Sequence, residues 1–330
     1  MSRTSSKGRA ALAVVAVSSF ALLAACGGHT KPAAGSDDTG SGSGSDNKTI
    51  AFSPIGLQVP AMKQLSEGVT GYGKSKGYEV LVQDPKLDPQ KQITDLQTVI
   101  ESGKVAGAWA IMIAPPTAAS LVQSALDKGV PLILNGTPED YGLEGLEPGV
   151  SFSTIDYQAQ GEAMGTELGN CINEKLDGKA DVLFGDSAPG TAGKEVQEKA
   201  IVDALKATAP DAEIVTHITI GDRGTAQTDV GSALQGNPGI TAVMGQNDEG
   251  SLGALGAFAA AGKELPCLTE TGGNEEVLQA VKDGKIYASV ALQFAADMAQ
   301  SFDALVAMIG DPSATGVQLT VPQEVVKEDS

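Results

Sequence analysis

Aromatic side chains are scarce in this 330-residue chain: seven Phe, five Tyr and a single Trp, or 4% of the residues. That leaves few flat rings to stack on a ligand. Histidine is rarer still, at two. His29 lies in a polar stretch, and His217 lies within a strand pattern, where it reads as a packed or edge residue and not as a general base. No H-E-x-x-H or C-x-x-C spacing occurs, so no metal site has a signature. A G-x-S-x-G nucleophile elbow is also missing. The stretch APGTAGKE (188–195) approaches a phosphate loop but fails it: Ala188 stands where the first glycine belongs, and Glu195 follows the lysine in place of Ser or Thr. The chain is therefore expected to be no enzyme, with no catalytic residue, no metal and no cofactor.

Positive charge is short as well. Lys and Arg number 22 against 41 Asp and Glu, for a net charge of −19. Such a surface argues against nucleic acid and against direct adhesion to anionic lipid. It argues mildly against a strongly anionic ligand.

Long apolar runs are limited to one. Arg3, Lys7 and Arg9 precede an uncharged stretch over residues 10–25, which ends in ALLAACGG (21–28). A basic start, a short apolar core and small residues at the end describe a secretory signal peptide over 1–25. The core is shorter than the roughly 20 residues a membrane-spanning helix needs. Its loss would carry the net charge from −19 to −22, because three bases and no acid leave with it. Leu23-Ala24-Ala25-Cys26 resembles the bacterial lipobox, which implies a lipid on Cys26 and anchoring on the outer face of the cytoplasmic membrane. Residues 26–48, rich in Gly, Ser and Asp, then read as a flexible linker with a reach of about 25 Å. Two further cysteines, Cys171 and Cys267, remain in an exported body, as a disulfide or as two buried free thiols.

From residue 49 onward strand and helix patterns alternate. The first set of strands is read at 49–55, 78–84, 105–115 and 130–136, with helices at 61–77, 89–103 and 118–129 between them. The pattern restarts with a helix at 157–178. Strands follow at 180–186, 212–221, 239–248, 265–273 and 286–293, with helices at 193–210, 226–238, 249–263, 274–285 and 295–310. This order implies right-handed βαβ units and two doubly wound parallel-sheet lobes. Ligands of such sheets sit beyond the carboxyl ends of the strands, so both sets of strand ends can face one cleft.

The segment GQND (245–248) followed by EGSLGALGAFAAAGK resembles the periplasmic-binding-protein-like type I family, in its ribose/galactose-type solute-binding branch. EEVLQAVKDGKIYASVAL and KQITDLQTVIESGKVAGAWAIMIAP are similar to further segments of that family. The resemblance spans roughly 49–320. It implies three chain crossings, near Thr154, Gln293 and Asp311, with one lobe at 49–154 plus 294–311 and the other at 155–293 plus 312–330. It also implies hinge closure over a sugar or polyol, delivery to the permease of an ATP-driven (ABC) importer, and a monomer.

Carried over residue by residue, the resemblance implies that Asn247 bonds ligand hydroxyls, that Asp248 caps the following helix and that Gln293 is the hinge glutamine. Other positions depart from the family. Gln58, Ala61 and Met62 stand where it places stacking aromatics, and after Asn135 at the strand end Gly136 and Thr137 stand where it often has Asp then Arg. Its second-lobe arginine is unmatched, with Lys194 and Gln197 the nearest polar residues, and Arg223 replaces the tryptophan of Gly-Asp-Trp. The aspartate expected near Gly272 is missing, and Asn274 lies just beyond. The expected ligand contacts are thus Gln58, Met62, Asn135, Lys194, Arg223, Asn247, Asn274 and Gln293. Two rival readings use the same cleft: a sensing lobe that reports to a membrane receptor without transport, and a lipid-anchored hydrolase suggested only by the cleft acids.

Overall fold

The computed structural model describes residues 47–330. The signal peptide read at 1–25, Cys26 and the linker up to residue 46 lie outside the described residues. Among the described residues, no helix is long and apolar enough to cross a membrane.

The chain first builds β1 (Thr49–Ser53), α1 (Pro60–Ser75), β2 (Glu79–Val82), α2 (Pro89–Glu101), β3 (Gly107–Ala110), α3 (Ala119–Lys128), β4 (Leu132–Asn135) and β5 (Val150–Thr154). It continues with α4 (Tyr157–Lys175), β6 (Asp181–Asp186), α5 (Lys194–Thr208), β7 (Glu213–Thr219), α6 (Arg223–Gly236), β8 (Ile240–Met244), α7 (Asp248–Ala260), β9 (Cys267–Gly272), α8 (Glu275–Lys282) and β10 (Ala288–Leu292). It ends with α9 (Phe294–Gly310), β11 (Gln318–Thr320) and β12 (Gln323–Val326). Two six-stranded sheets result, in the orders β2-β1-β3-β4-β5-β11 and β7-β6-β8-β9-β10-β12. Every pairing is parallel except β10 with β12.

Period-two burial explains how the helices sandwich each sheet. On β1, Ile50 and Phe52 face α1 and α9, where Phe302 meets Tyr72 and Tyr78 edge-on at 5.6 and 6.0 Å, while Ala51 faces α2 and α3. In the second sheet Leu183, Val243 and Leu268 face α6, α7 and α8, and Val182, Phe184 and Met244 face α4 and α5. Cys171 on α4 is bonded to Cys267 on β9, with Cα atoms 5.7 Å apart, so the bridge joins one covering helix to its sheet. His217 lies on the edge strand β7, with Nδ1 3.0 Å from Asp186 Oδ1.

Two features depart from the sequence reading. VSFST (150–154) is a strand, buried through Val150, Ser151, Phe152 and Ser153 and paired with β4; its serines broke the apolar run. The tail does not belong wholly to the second lobe. Leu319 of β11 pairs with Ser153 in the first sheet, and only β12 joins the second. The last crossing is therefore at Val321–Pro322 and not at Asp311. A three-residue strand with exposed alternate positions carries too little hydrophobic pattern to be read locally.

Candidate functional site

Three stretches connect the lobes: 155–156, 293 and 321–322. They run side by side and are tied by two backbone hydrogen bonds and one from a side chain. Val321 N donates to Thr154 O at 2.8 Å, Gln293 N donates to Pro322 O at 2.8 Å, and Gln323 Nε2 donates to Asp156 O at 3.2 Å. Gln293 is thus a hinge residue through its backbone, and among the described residues its side-chain amide reaches only Glu324 Oε2, at 3.4 Å.

Beside this hinge lies a cavity of about 930 Å³. The first lobe contributes Ala61 and Gln64 from α1. The second contributes Asp248, Leu252 and Leu255 of α7, the Gly272–Asn274 turn, and the α8 face from Glu275 to Gln279. Leu292 and Phe294 flank the middle crossing. Phe294, half exposed, supplies an aromatic face that the sequence reading missed; the signal was its position directly after the hinge glutamine.

At the second-lobe wall two neighbours depart from expectation. Asn247 is the cap of α7: its Oδ1 accepts the Gly250 N–H at 2.7 Å and its Nδ2 donates to Ile220 O at 3.1 Å. Asp248 does not cap α7. Its Oδ1 accepts the N–H groups of Gly273 and Asn274, at 2.8 and 2.9 Å, and so holds the turn after β9. Burial raises its pKa above the ordinary aspartate range. Asn274 lines the cavity while capping α8 through Val277 N at 2.8 Å.

The expected cations are already neutralised. Arg223 makes paired hydrogen bonds to Glu249, at 2.9 and 3.1 Å, and to Glu276, at 2.9 and 2.7 Å. That double clasp raises its pKa and lowers that of Glu276. Lys194 sits 2.5 Å from Glu198 Oε1, on the helix that starts at residue 194. Neither lines the cavity, although Glu276 does.

Amides of the first lobe are likewise spent on scaffold. Asn135 Oδ1 accepts the Met112 N–H at 2.7 Å and the Tyr141 hydroxyl at 3.2 Å, tying the ends of β3 and β4. Gln92, wholly buried, donates to Ile111 O at 2.9 Å and accepts from Ile113 N at 2.9 Å, a role the sequence reading missed. In the second lobe Gln197 donates to Gln160 at 2.5 Å and Gln160 to Thr271 at 2.7 Å. Buried polar groups need partners, and these amides find them in backbone and in one another. Met62 is half-buried on α1 next to Ala61, and Gln58 is exposed in the loop before it. Of the eight expected contacts, only Asn274 lines the cavity. Met62, Asn247 and Gln293 adjoin residues that do; Gln58, Asn135, Lys194 and Arg223 do not.

Two residues before Gly272, on the same face of β9, Glu270 is wholly buried and neither carboxyl oxygen has a hydrogen-bond partner among the described residues. Burial pushes its pKa up to about 8. Ser289, its neighbour on β10, opposes the shift without reaching hydrogen-bond geometry, and the charge of Asp248 adds to it. Glu270 therefore keeps its proton near neutral pH.

A family model described as the periplasmic binding protein domain matches residues 50–312. The chain is 28% identical to the ribose import binding protein RbsB of Bacillus subtilis over 287 residues, covering 86% of this chain and 88% of that protein. It is 27% identical to a xylitol-binding protein of Mycolicibacterium smegmatis over 275 residues, covering 81% and 74%. Among solved structures, a solute-binding protein of an Actinobacillus succinogenes ABC transporter with bound D-allose superimposes with a TM-score of 0.74 at 20% identity, over 85% of this chain and 98% of that one. A Caulobacter myo-inositol binding protein superimposes at 0.71 and 21% identity, over 86% and 95%.

Proposed function

Because the chain belongs to the periplasmic binding protein domain family, whose members bind solutes and are not enzymes, we propose that it binds a small sugar or polyol. It does so outside the cytoplasm, by closing two lobes on the ligand, and passes it to the permease of an ABC importer. The observation that carries this reading is the cavity beside the three-stranded hinge, walled by polar groups of both lobes. Two lobes joined by short parallel crossings can rotate about them while each sheet stays rigid. The relatives named for ribose and xylitol, and the structural neighbours holding D-allose and myo-inositol, support a polyhydroxylated ligand.

A thermal-shift screen of sugars and polyols tests the reading. A ligand at a hundredfold excess over its dissociation constant stabilises the folded protein by about 2.7 kcal/mol. A complete panel without a shift would refute it.

We further propose that the protein is tethered to the membrane as a monomer through lipidated Cys26, on the strength of Leu23-Ala24-Ala25-Cys26 and the Gly/Ser stretch that follows. Cys26→Ser should release the body to the medium or block its processing. Unchanged membrane fractionation would count against the anchor.

A further inference from the structure

The strand β9 ends in Gly272, which lines the cavity but has no side chain to offer it. The space a side chain would leave from is already filled. A Cβ built on Gly272 would lie 2.4 Å from Asp248 Oδ2, 2.6 Å from its Oδ1 and 2.5 Å from its Cγ. The carboxylate that the end of β9 lacks is thus delivered to the same spot by α7. Gly272 permits this twice over: its backbone has φ of +145°, which disfavours any side chain, and its missing Cβ makes room for the carboxylate.

The two oxygens of Asp248 are used differently. Oδ1 is occupied by the N–H groups of Gly273 and Asn274. Oδ2 takes part in no hydrogen bond among the described residues, yet it is not among the solvent-inaccessible atoms, and Asp248 forms part of the cavity wall. The turn therefore fixes the group while one oxygen keeps its acceptor capacity. Burial favours the protonated form of Glu270, beneath it, and of this carboxyl pair only Asp248 forms part of the cavity wall. The cavity wall carries Asp248, Glu275, Glu276 and Asp283 against one cation, Lys285, which lies 2.9 Å from Asp283.

We propose that Asp248 Oδ2 is the acceptor that orients the ligand, taking its hydroxyl or ammonium donors at the place where β9 ends without a side chain. The site consequently admits neutral or amine-bearing polyhydroxylated molecules and rejects those with a carboxylate at that end. This assignment rests on the solute-binding reading above. It adds the contact residue and the sign of the charge selection.

Calorimetric titration of the full chain with D-ribose, xylitol, myo-inositol and D-gluconate tests it, with Asp248→Asn alongside. Asparagine keeps Oδ1 for the Gly273 and Asn274 N–H groups and turns the cavity-facing acceptor into a donor, so the melting temperature without ligand should hold. Whichever neutral probe binds the parent should bind Asp248→Asn at least about tenfold more weakly, since a ligand donor now faces a donor. D-gluconate should bind neither protein. Equal affinity of parent and variant for a neutral probe overturns the assignment while leaving the solute-binding reading intact. So does D-gluconate binding the parent as tightly as a neutral probe, an arm that needs no variant to fold. Heat from none of the neutral probes overturns the sugar reading and this assignment with it.

Discussion

The side-chain oxygen of Asn247 accepts the backbone N–H of Gly250 at 2.7 Å, which makes the residue expected to touch the ligand the cap of α7. Asn247→Ala should accordingly destabilise the unliganded protein by about 0.5–2 kcal/mol, since it removes the cap and the contact to the Ile220 carbonyl. Asn247→Asp, which keeps an acceptor for Gly250, should recover most of that loss. Denaturant midpoints of the two variants without ligand decide the matter; equal midpoints for parent and Asn247→Ala would contradict the capping role.

Glu270 gives stability a pH dependence of known sign. Its folded pKa, about 8, lies above the value of an unfolded glutamate, so the folded state binds the proton more tightly. The stabilisation is full below the unfolded value and is lost as pH rises through the folded one, at up to about 1.4 kcal/mol per pH unit in between. Glu270→Gln removes the titration. The gap in unfolding free energy between variant and parent should widen in the variant's favour from about pH 5 to about pH 9. A constant gap would show that Glu270 does not titrate in this range.

The α4–α5 contact depends on glycine. Gly161, Gly165 and Gly169 recur at four-residue spacing on α4, and a Cβ on Gly165 would come within 2.2 Å of the Ile201 carbonyl oxygen. Gly165→Ala should cost about 1–3 kcal/mol through overpacking. Gly231→Ala on α6 is the contrast: its Cβ would meet nothing within 4 Å, so helix propensity alone should gain up to about 1 kcal/mol. Thermal melts of the two variants should move in opposite directions.

The Cys171–Cys267 bridge spans a sequence separation of 96 residues that includes β6, β7 and β8 of the second sheet. Replacing both cysteines with serine should lower stability by roughly 2–5 kcal/mol, because the unfolded chain regains the entropy the bridge had removed. Urea titrations of the oxidised parent and the double variant measure the difference. Coincident curves would show that the bridge does not stabilise the fold.

Arg223→Ala should leave the affinity for a neutral polyol unchanged, because the guanidinium is held by Glu249 and Glu276 and does not line the cavity. The clasp is exposed, so any loss in melting temperature should shrink further as salt is added. A large drop in polyol affinity would place Arg223 in the site after all.

Much of the architecture is written locally. The apolar run LIL (132–134) is buried on both faces of its sheet and the periodic Ile93, Leu96 and Ile100 bury one helix face, so most of the strand and helix order, and with it two parallel sheets, follows from the sequence. The pairing of GQND with a small-residue helix is equally local. Strands that lack such a pattern were not legible: β5 is interrupted by serines, and β11 is a strand only because β5 lies beside it.

The polar site was decided by tertiary structure, and for one physical reason. A side-chain amide or carboxylate can satisfy backbone or ligand equally well, and its sequence neighbours do not say which is nearer. Asn135, Asn247 and Gln92 look like ligand groups by type, yet each faces a backbone group brought to it by a distant segment. Asp248 looks like a cap, yet folding sets it over Gly272, twenty-four residues further along the chain. The sequence by itself determined the order of elements up to β4 and from α4 to α9, the acidic surface and the scarcity of stacking rings. Which of the many amides and acids turn toward the cleft was left to the meeting of strand ends in space.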